Sequence, residues 1–456
     1  MPVYNFPGPR SESAIAQGKR PGFEDLLANA RYVRDLPEYR NSHVGMTGYG
    51  STKAGDRILL AVDTHYDPLV VEAVATALRE KDARVDVLWV DVVPDREFNY
   101  EDEIRVMMRR EPWDNNPRRW EGIPWIEALA EREKYDLLIH GKGGPILQNT
   151  PYRYAQLPWM GLEHFTEGAT QFPQEVLVAA NQLTWDNIWI KGRGGKVRLT
   201  DPEGTDLTFT LFEEYFDGTH FGWVAEPRKL YGHLMCHPTL PMIEKADTTG
   251  VVSGTTSHYT RCFPWLKVRM ENGCVKEAEG GGPYGDFWRE FLKETRDTQY
   301  PYYPRPGLFW LFEMALCGHP KISRPSNIHM LSSGGSEWER RRSGIIHMGF
   351  GTLYRHQQEV WAYERGLLYG HLHIHLFFPT YEITTKEGES IKIVDKGRFT
   401  AFDDPGVREV AAKYGDPDQL LREEWIPAIP GINVEGNYED YARNPEPYIY
   451  TAREKR

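Results

Sequence analysis

The chain has 456 residues, too many for one ordinary hydrophobic core, so two or three domains are expected. Lys plus Arg number 54 against 66 Asp plus Glu; the formal charge of −12, with no basic tail or stripe, argues against a nucleic-acid partner. Apolar runs such as residues 57–62 and 376–378 fall far short of the roughly 20 residues that span a bilayer, so no membrane partner is expected.

The first twenty residues, MPVYNFPGPRSESAIAQGKR, lack the charged start, apolar stretch and cleavage site of a secretory signal, and a cytoplasmic protein is expected. Residues 1–48 mix Pro, Gly and charge around one helical stretch at 23–34, and are expected to wrap the domain that follows. From residue 49 the pattern becomes β-α-β. RILLAVD (57–63) reads as a buried strand, 68–81 as a helix and ARVDVLWV (83–90) as a second strand. A helix at 125–133 and a strand at 135–140 continue the alternation, which predicts an α/β domain with a parallel sheet over 49–185.

Beyond residue 186 the texture changes to strands and glycine turns. Residues 195–200 and 206–211 flank Asp201-Pro-Glu-Gly204, a hairpin signal, and strands are predicted at 251–256, 266–270, 344–349 and 372–378. The second domain, 186–456, is therefore expected to be mixed α+β and strand-rich. Cys236, Cys262, Cys274 and Cys317 form no C-x-x-C pair, which argues against both a disulfide framework and a thiolate zinc site.

Within this domain His371-Leu-His373-Ile-His375 carries three imidazoles at period two, so a strand would place them in one row with Leu372, Ile374 and Leu376 behind. Two such neighbours can share one cation; a solvent-facing polar row is the plainer alternative. His347 opens a strand that runs into glycines, with Tyr354 seven residues on. Glu313 lies in the otherwise apolar LFWLFEMAL and must be paired, protonated or metal-bound if buried. His233 and His237 are four apart, but glycine and proline at the ends of Tyr231-Gly-His-Leu-Met-Cys-His-Pro238 favour a loop. Gly141-Lys-Gly-Gly-Pro145 and Asp63-Thr-His-Tyr-Asp67 follow parallel strands at the end where ligands often bind, without a nucleotide fingerprint.

Taken in order, Lys53-Ala-Gly-Asp-Arg-Ile-Leu-Leu, Lys196-Val-Arg-Leu-Thr-Asp-Pro-Glu-Gly-Thr-Asp-Leu-Thr-Phe209, His347-Met-Gly-Phe-Gly, His373-x-His375 and Asp395-Lys-Gly-Arg-Phe399 resemble the thermophilic-type leucyl aminopeptidases. The relatives of that family include 2,5-dihydroxypyridine dioxygenase, an iron enzyme that opens an aromatic ring. The resemblance covers roughly residues 50 to 415. It implies a homodimer and a metal set at Glu313, His347, Tyr354, His373 and His375. Two family carboxylates are missing: the first glutamate has no counterpart before Val251, and the final aspartate is His375.

Losing two carboxylates makes a two-metal hydrolytic site hard to sustain and favours one first-row metal. The expectation is thus a mononuclear Fe(II) dioxygenase taking a small hydroxylated aromatic or heteroaromatic substrate and O2. His347, His373 and His375 would be its ligands, with Glu313 fourth or in support, and Tyr354, His371 and His237 would handle protons. His319 is the alternative to His347 as the first ligand. A hydrolase of the aminopeptidase or amidase type using Zn, Mn or Co, or a non-catalytic binding protein, is the alternative function.

Overall fold

The structure is a computed structural model. It describes residues 5–11, 19–40, 46–63, 66–90, 108–109, 123–141, 150–159, 161–166, 168–213, 233–235, 246–257, 262–301, 303–307, 309–322, 342–351, 361–362 and 364–449. Among these, the short strands β1 (Arg10–Ser11), β2 (Tyr39–Arg40) and β3 (Met46–Thr47) and the helix α1 (Phe23–Asp35) precede a parallel sheet.

That sheet takes β4 (Arg57–Asp63), β5 (Arg84–Val90), β7 (Leu137–Gly141) and β8 (Arg153–Leu157) in the order β5-β4-β7-β8; it is parallel, as the β-α-β pattern predicts, and β8 is a strand the sequence reading does not include. Helix α2 (Pro68–Arg79) begins where the Asp67 carboxylate accepts the Leu69 N–H, with Pro68 pre-set for the first turn. Val70, Val74 and Leu78 of α2 pack with Ile58, Leu60 and Val62, and α1 lies against α2. On the opposite face Leu59, Ala61 and Leu138 meet Ile126 and Ala130 of α3 (Ile123–Arg132). Covering both faces is why β4 is apolar throughout rather than alternating.

His140 of β7 is fully buried near the Tyr154 ring, and burial pushes its pKa down to about 4. A histidine held below its unfolded value contributes stability above pH 6.5 that is lost as the pH falls towards the folded value. The α/β part should therefore lose about 3 kcal/mol between pH 6.5 and 4. Replacing His140 with Gln should flatten that limb; hydrogen exchange of the β7 amides at pH 4.5 and 7 reads it, and an unchanged pH slope would refute it.

The second sheet has thirteen strands among the described residues. They run β20-β19-β18-β9-β10-β12-β13-β14-β15-β16-β17-β6, with β11 beside β15. In chain order they are β6 (Met108–Arg109), β9 (Lys196–Asp201), β10 (Thr205–Thr210), β11 (His233–Met235), β12 (Thr249–Thr256), β13 (Cys262–Glu271), β14 (Cys274–Gly280), β15 (Trp310–Cys317), β16 (Ile346–Gly351), β17 (Tyr369–Leu376), β18 (Thr380–Thr384), β19 (Ser390–Asp395) and β20 (Arg398–Phe399). Neighbours are antiparallel. The predicted hairpin is β9–β10, pairing Asp201 with Thr205 around a turn in which Gly204 has φ +113°.

The sheet curls, because β12 and β17 are far from neighbours in the strand order yet pack face to face. A Cβ on Gly254 would fall 2.7 Å from Ile374 Cγ2. Inside the curl Leu199, Leu207, Val252, Leu372, Ile374 and Leu376 join the main core, which α5 (Gln174–Trp185), α6 (Gly282–Thr295) and α7 (Pro405–Ala412) close; α4 (Leu162–Thr166) sits by α1 instead. This is the α/β plus strand-rich architecture expected from the sequence.

The N-terminal segment divides. Helix α1 packs on the α/β unit, but β1 pairs with β21 (Trp425–Ile426) and Asn433 donates to the Pro7 carbonyl, so residues 5–11 clasp the far end of the described chain. Cys262, Cys274 and Cys317 are buried, while Cys236 lies outside the described residues. Among the described residues no helix is long and apolar enough to cross a membrane.

Candidate metal centre

Three adjacent strands build the histidine cluster. Strand β16 pairs His347 with His375, Gly349 with His373 and Gly351 with His371 on β17, and β15 sets Ala315 opposite His347 and Glu313 opposite Gly349. Residues directly opposite share a face, so His347, His373 and His375 belong to one side of the sheet. Met348, Phe350, Leu372 and Ile374 fill the core on the other side. Glycine at 349 leaves the position opposite His373 without a side chain.

The imidazoles touch. The His347 ring centroid lies 4.4 Å from that of His373 and 4.8 Å from that of His375. His347 Nδ1 and His375 Nε2 are hydrogen-bonded at 2.7 Å, which requires one of the two nitrogens to accept and so one ring to be neutral. All three rings are buried, which removes the reading of a solvent-facing row for His373 and His375.

Tyr284 of α6 holds the middle ligand candidate from the sheet edge. Its hydroxyl donates to the His373 carbonyl and accepts the His373 N–H, both at 3.0 Å, taking the place of a neighbouring strand. The aromatic ring is itself stacked on Phe263 at 4.5 Å. Sequence reasoning misses this residue; the turn Gly280-Gly-Gly-Pro-Tyr284 marks a helix start but gives no sign of what the tyrosine reaches.

The backbones of Glu313 and His371 take the register positions given above; Tyr354 and His237 lie outside the described residues, as do residues 64–65 and 142–149 of the two ligand-end loops. The loop expected around His233 is corrected: His233–Met235 is strand β11, pairing His233 with Cys317 and Met235 with Ala315. The glycine and proline that suggest a loop flank this strand, and β15 supplies the partner that local sequence does not reveal. His319, the alternative first ligand, is buried with its ring against Phe172 at 4.9 Å and its Nδ1 accepting the Lys321 N–H at 3.1 Å.

Among the described residues no group of three or more His, Cys, Asp or Glu side chains is arranged so that it could hold a metal ion as it stands. The donor chemistry nevertheless suits one: two nitrogens bound at 2.0–2.1 Å to a shared ion stand about 3 Å apart, close to the His347–His375 contact.

A second polar cluster reads in the sequence only as a turn and a family mark. Asp201 and Glu203 are both buried, and burial raises the pKa of each. Asp201 accepts N–H bonds from Glu203 and Phe378; Glu203 Oε1 accepts from the Thr255 hydroxyl at 2.9 Å and the Tyr438 hydroxyl at 3.3 Å.

No protein-family model and no curated protein matches the chain. Among solved structures, 2,5-dihydroxypyridine dioxygenase from Pseudomonas putida KT2440 aligns over 83% of this chain and 98% of its own, at 13% identity and a TM-score of 0.45. Wild-type AmpT from Thermus thermophilus aligns over 82% of this chain and 99% of its own, at 13% identity and a TM-score of 0.42. Likeness of that degree decides nothing about the site.

Proposed function

We propose that this chain is a metal-dependent enzyme whose metal is held by His347, His373 and His375, with Glu313 as fourth ligand or support. We further propose that the metal is a single iron(II), at which dioxygen opens a hydroxylated aromatic or heteroaromatic ring. The observation that carries the reading is the contact of three buried imidazoles on one sheet face. Imidazole nitrogen is a ligand common to iron, zinc and copper. Charge favours one ion over two, since three neutral imidazoles and one carboxylate bring at most one negative charge against two dications.

Bound iron would supply the redox chemistry that dioxygen needs to react with a ring. The residues do the rest. The His347–His375 contact brings His347 Nδ1 and His375 Nε2 to 2.7 Å, and these two nitrogens are the donors proposed for the metal, which would displace the proton between them. Tyr284 fixes the strand position of His373. Tyr354, His371 and His237 are proposed to hydrogen-bond the substrate hydroxyl or move its proton. The sheet buries the rings, which limits water around a reacting substrate.

The test is metal content of protein purified without added metal, followed by oxygen uptake with hydroxylated aromatic compounds. One iron per chain and oxygen consumption matched to ring opening are expected. Two zinc ions per chain with activity indifferent to oxygen would overturn the dioxygenase reading in favour of a hydrolase. Ligand binding by metal-free protein, without turnover, would overturn both.

A further inference from the structure

The chain's last described stretch, residues 425–449, is laid over the sheet rather than built into it. It comprises β21, α8 (Tyr438–Arg443) and α9 (Glu446–Ile449). Its Ile429, Ile432, Tyr441 and Ile449 pack with Cys262, Cys317, Ile345 and Phe377 in a separate small core. Cys317 lies two residues beyond Ala315 on β15, and Ile345, just ahead of β16, two residues before the opposing His347, so this stretch borders the histidine row.

Besides the clasp by residues 5–11, two kinds of fastening hold it. At its start the Arg342 Nε donates to the Trp425 carbonyl at 2.8 Å, a contact indifferent to pH because guanidinium does not titrate. At its end Tyr438 donates to Glu203 Oε1, and the hydroxyls of Tyr441 and Thr255 are bonded at 2.7 Å. Glu203 is thus the point at which β9–β10, β12 and α8 meet.

Among the described residues, the groups that bear on that point are acidic or neutral. Asp201 comes from its own turn, Thr255 from β12, Cys262 and the Trp265 indole from β13, Tyr438 and Tyr441 from α8, with Tyr448 of α9 against Tyr441. Among the described residues no Lys, Arg or His pairs with Asp201 or Glu203. Glu203 Oε2 has no hydrogen-bond partner among the described residues, so ionisation would leave a bare buried charge beside Asp201. Asp201, with two backbone N–H donors, is the better placed of the two to carry charge. Glu203 therefore keeps the proton.

We propose that residues 425–449 are a strap that closes only over an uncharged Glu203 carboxyl, and that loss of its proton in alkaline solution opens the tyrosine end so that water can reach the charge, uncovering Cys262 and Cys317 beside the histidine row. The sign follows from burial: a carboxyl whose folded form prefers the proton destabilises the closed strap as the pH rises. Closure does not depend on a metal at the histidines.

Thiol labelling of the full chain reads the strap directly. In a Cys236→Ser background, maleimide labelling of each cysteine is followed from pH 6 to 9.5 and divided by the rate of a model thiol at the same pH. Cys262 and Cys317 should then label at least ~10-fold faster at pH 9.5 than at pH 6, the change expected of ~1.4 kcal/mol. Cys274, in the main core, should not change. Glu203→Gln, which cannot ionise, should hold Cys262 and Cys317 at their pH 6 rates. Should that variant fail to fold, Tyr438→Phe, which removes the strap's donor to Glu203, should raise labelling of both already at pH 6. The strap is overturned if Cys262 and Cys317 follow Cys274 across the range, if Glu203→Gln opens as the parent does, or if Tyr438→Phe labels as the parent does at pH 6.

Discussion

Replacing His373 with Ala should leave a folded chain that no longer retains metal. His373 is the proposed ligand with the least freedom to be replaced: its ring packs on His347, and its backbone is held on both sides, by β16 and by Tyr284. Loss of a residue that merely supports a ligand costs roughly 10- to 100-fold in metal affinity, and loss of the ligand itself should exceed that. The backbone bonds to Tyr284 do not involve the imidazole and survive the substitution, so the strand should persist despite the small cavity. Metal analysis after gel filtration, beside a far-ultraviolet circular dichroism spectrum, separates the outcomes. A native spectrum with unchanged metal content would place the centre elsewhere. Loss of both would report unfolding, and His373→Gln, which keeps much of the volume, would then be the deciding variant.

The histidine strand is legible because period two is a local property: three histidines at alternate positions share a face in any extended chain. The partner strand is half legible. His347 stands out before Gly349 and Gly351, but that His347 falls opposite His375 rather than one position away is a matter of register, set by the pairing of β15 with β16 and β16 with β17. Three of the four strands of the parallel sheet are legible, since β4, β5 and β7 read as strands separated by amphipathic α2 and α3, while β8 does not announce itself.

What stays hidden depends on contacts between residues far apart in the chain. Tyr284 and His373 are 89 positions apart, Glu203 and Tyr438 235 positions apart. No local pattern says that the hairpin turn containing Glu203 will be covered by the stretch at 425–449. Without that cover Asp201-Pro-Glu-Gly204 would be an ordinary solvated turn, which is how its composition reads. The strand at His233–Met235 is a similar case: its flanking Gly and Pro describe where it ends, while the pairing offered by β15 makes it a strand.

Gly344→Ala should destabilise the strand-rich part by roughly 3 to 5 kcal/mol, combining a left-handed backbone with a backbone clash. Gly344 has φ +83° in the turn that leads into β16, and its N–H donates to the Cys317 carbonyl at 3.1 Å. A Cβ there would fall 1.8 Å from the carbonyl oxygen of Gly397, whose own N–H is tied to the Pro379 carbonyl at 2.8 Å. Neither side can yield as a flexible side chain would. Relief requires moving the start of β16, and His347 is its second residue, so the same substitution should weaken metal retention. Gly366→Ala isolates the backbone cost: Gly366 has φ +64° with nothing within 4 Å of where its Cβ would stand, and should lose only about 1 to 2 kcal/mol. Urea unfolding of the two variants, followed by tryptophan fluorescence, measures the difference. Equal losses would mean that the β16 entry is not pinned against Gly397, and that the position of His347 is set by strand pairing alone.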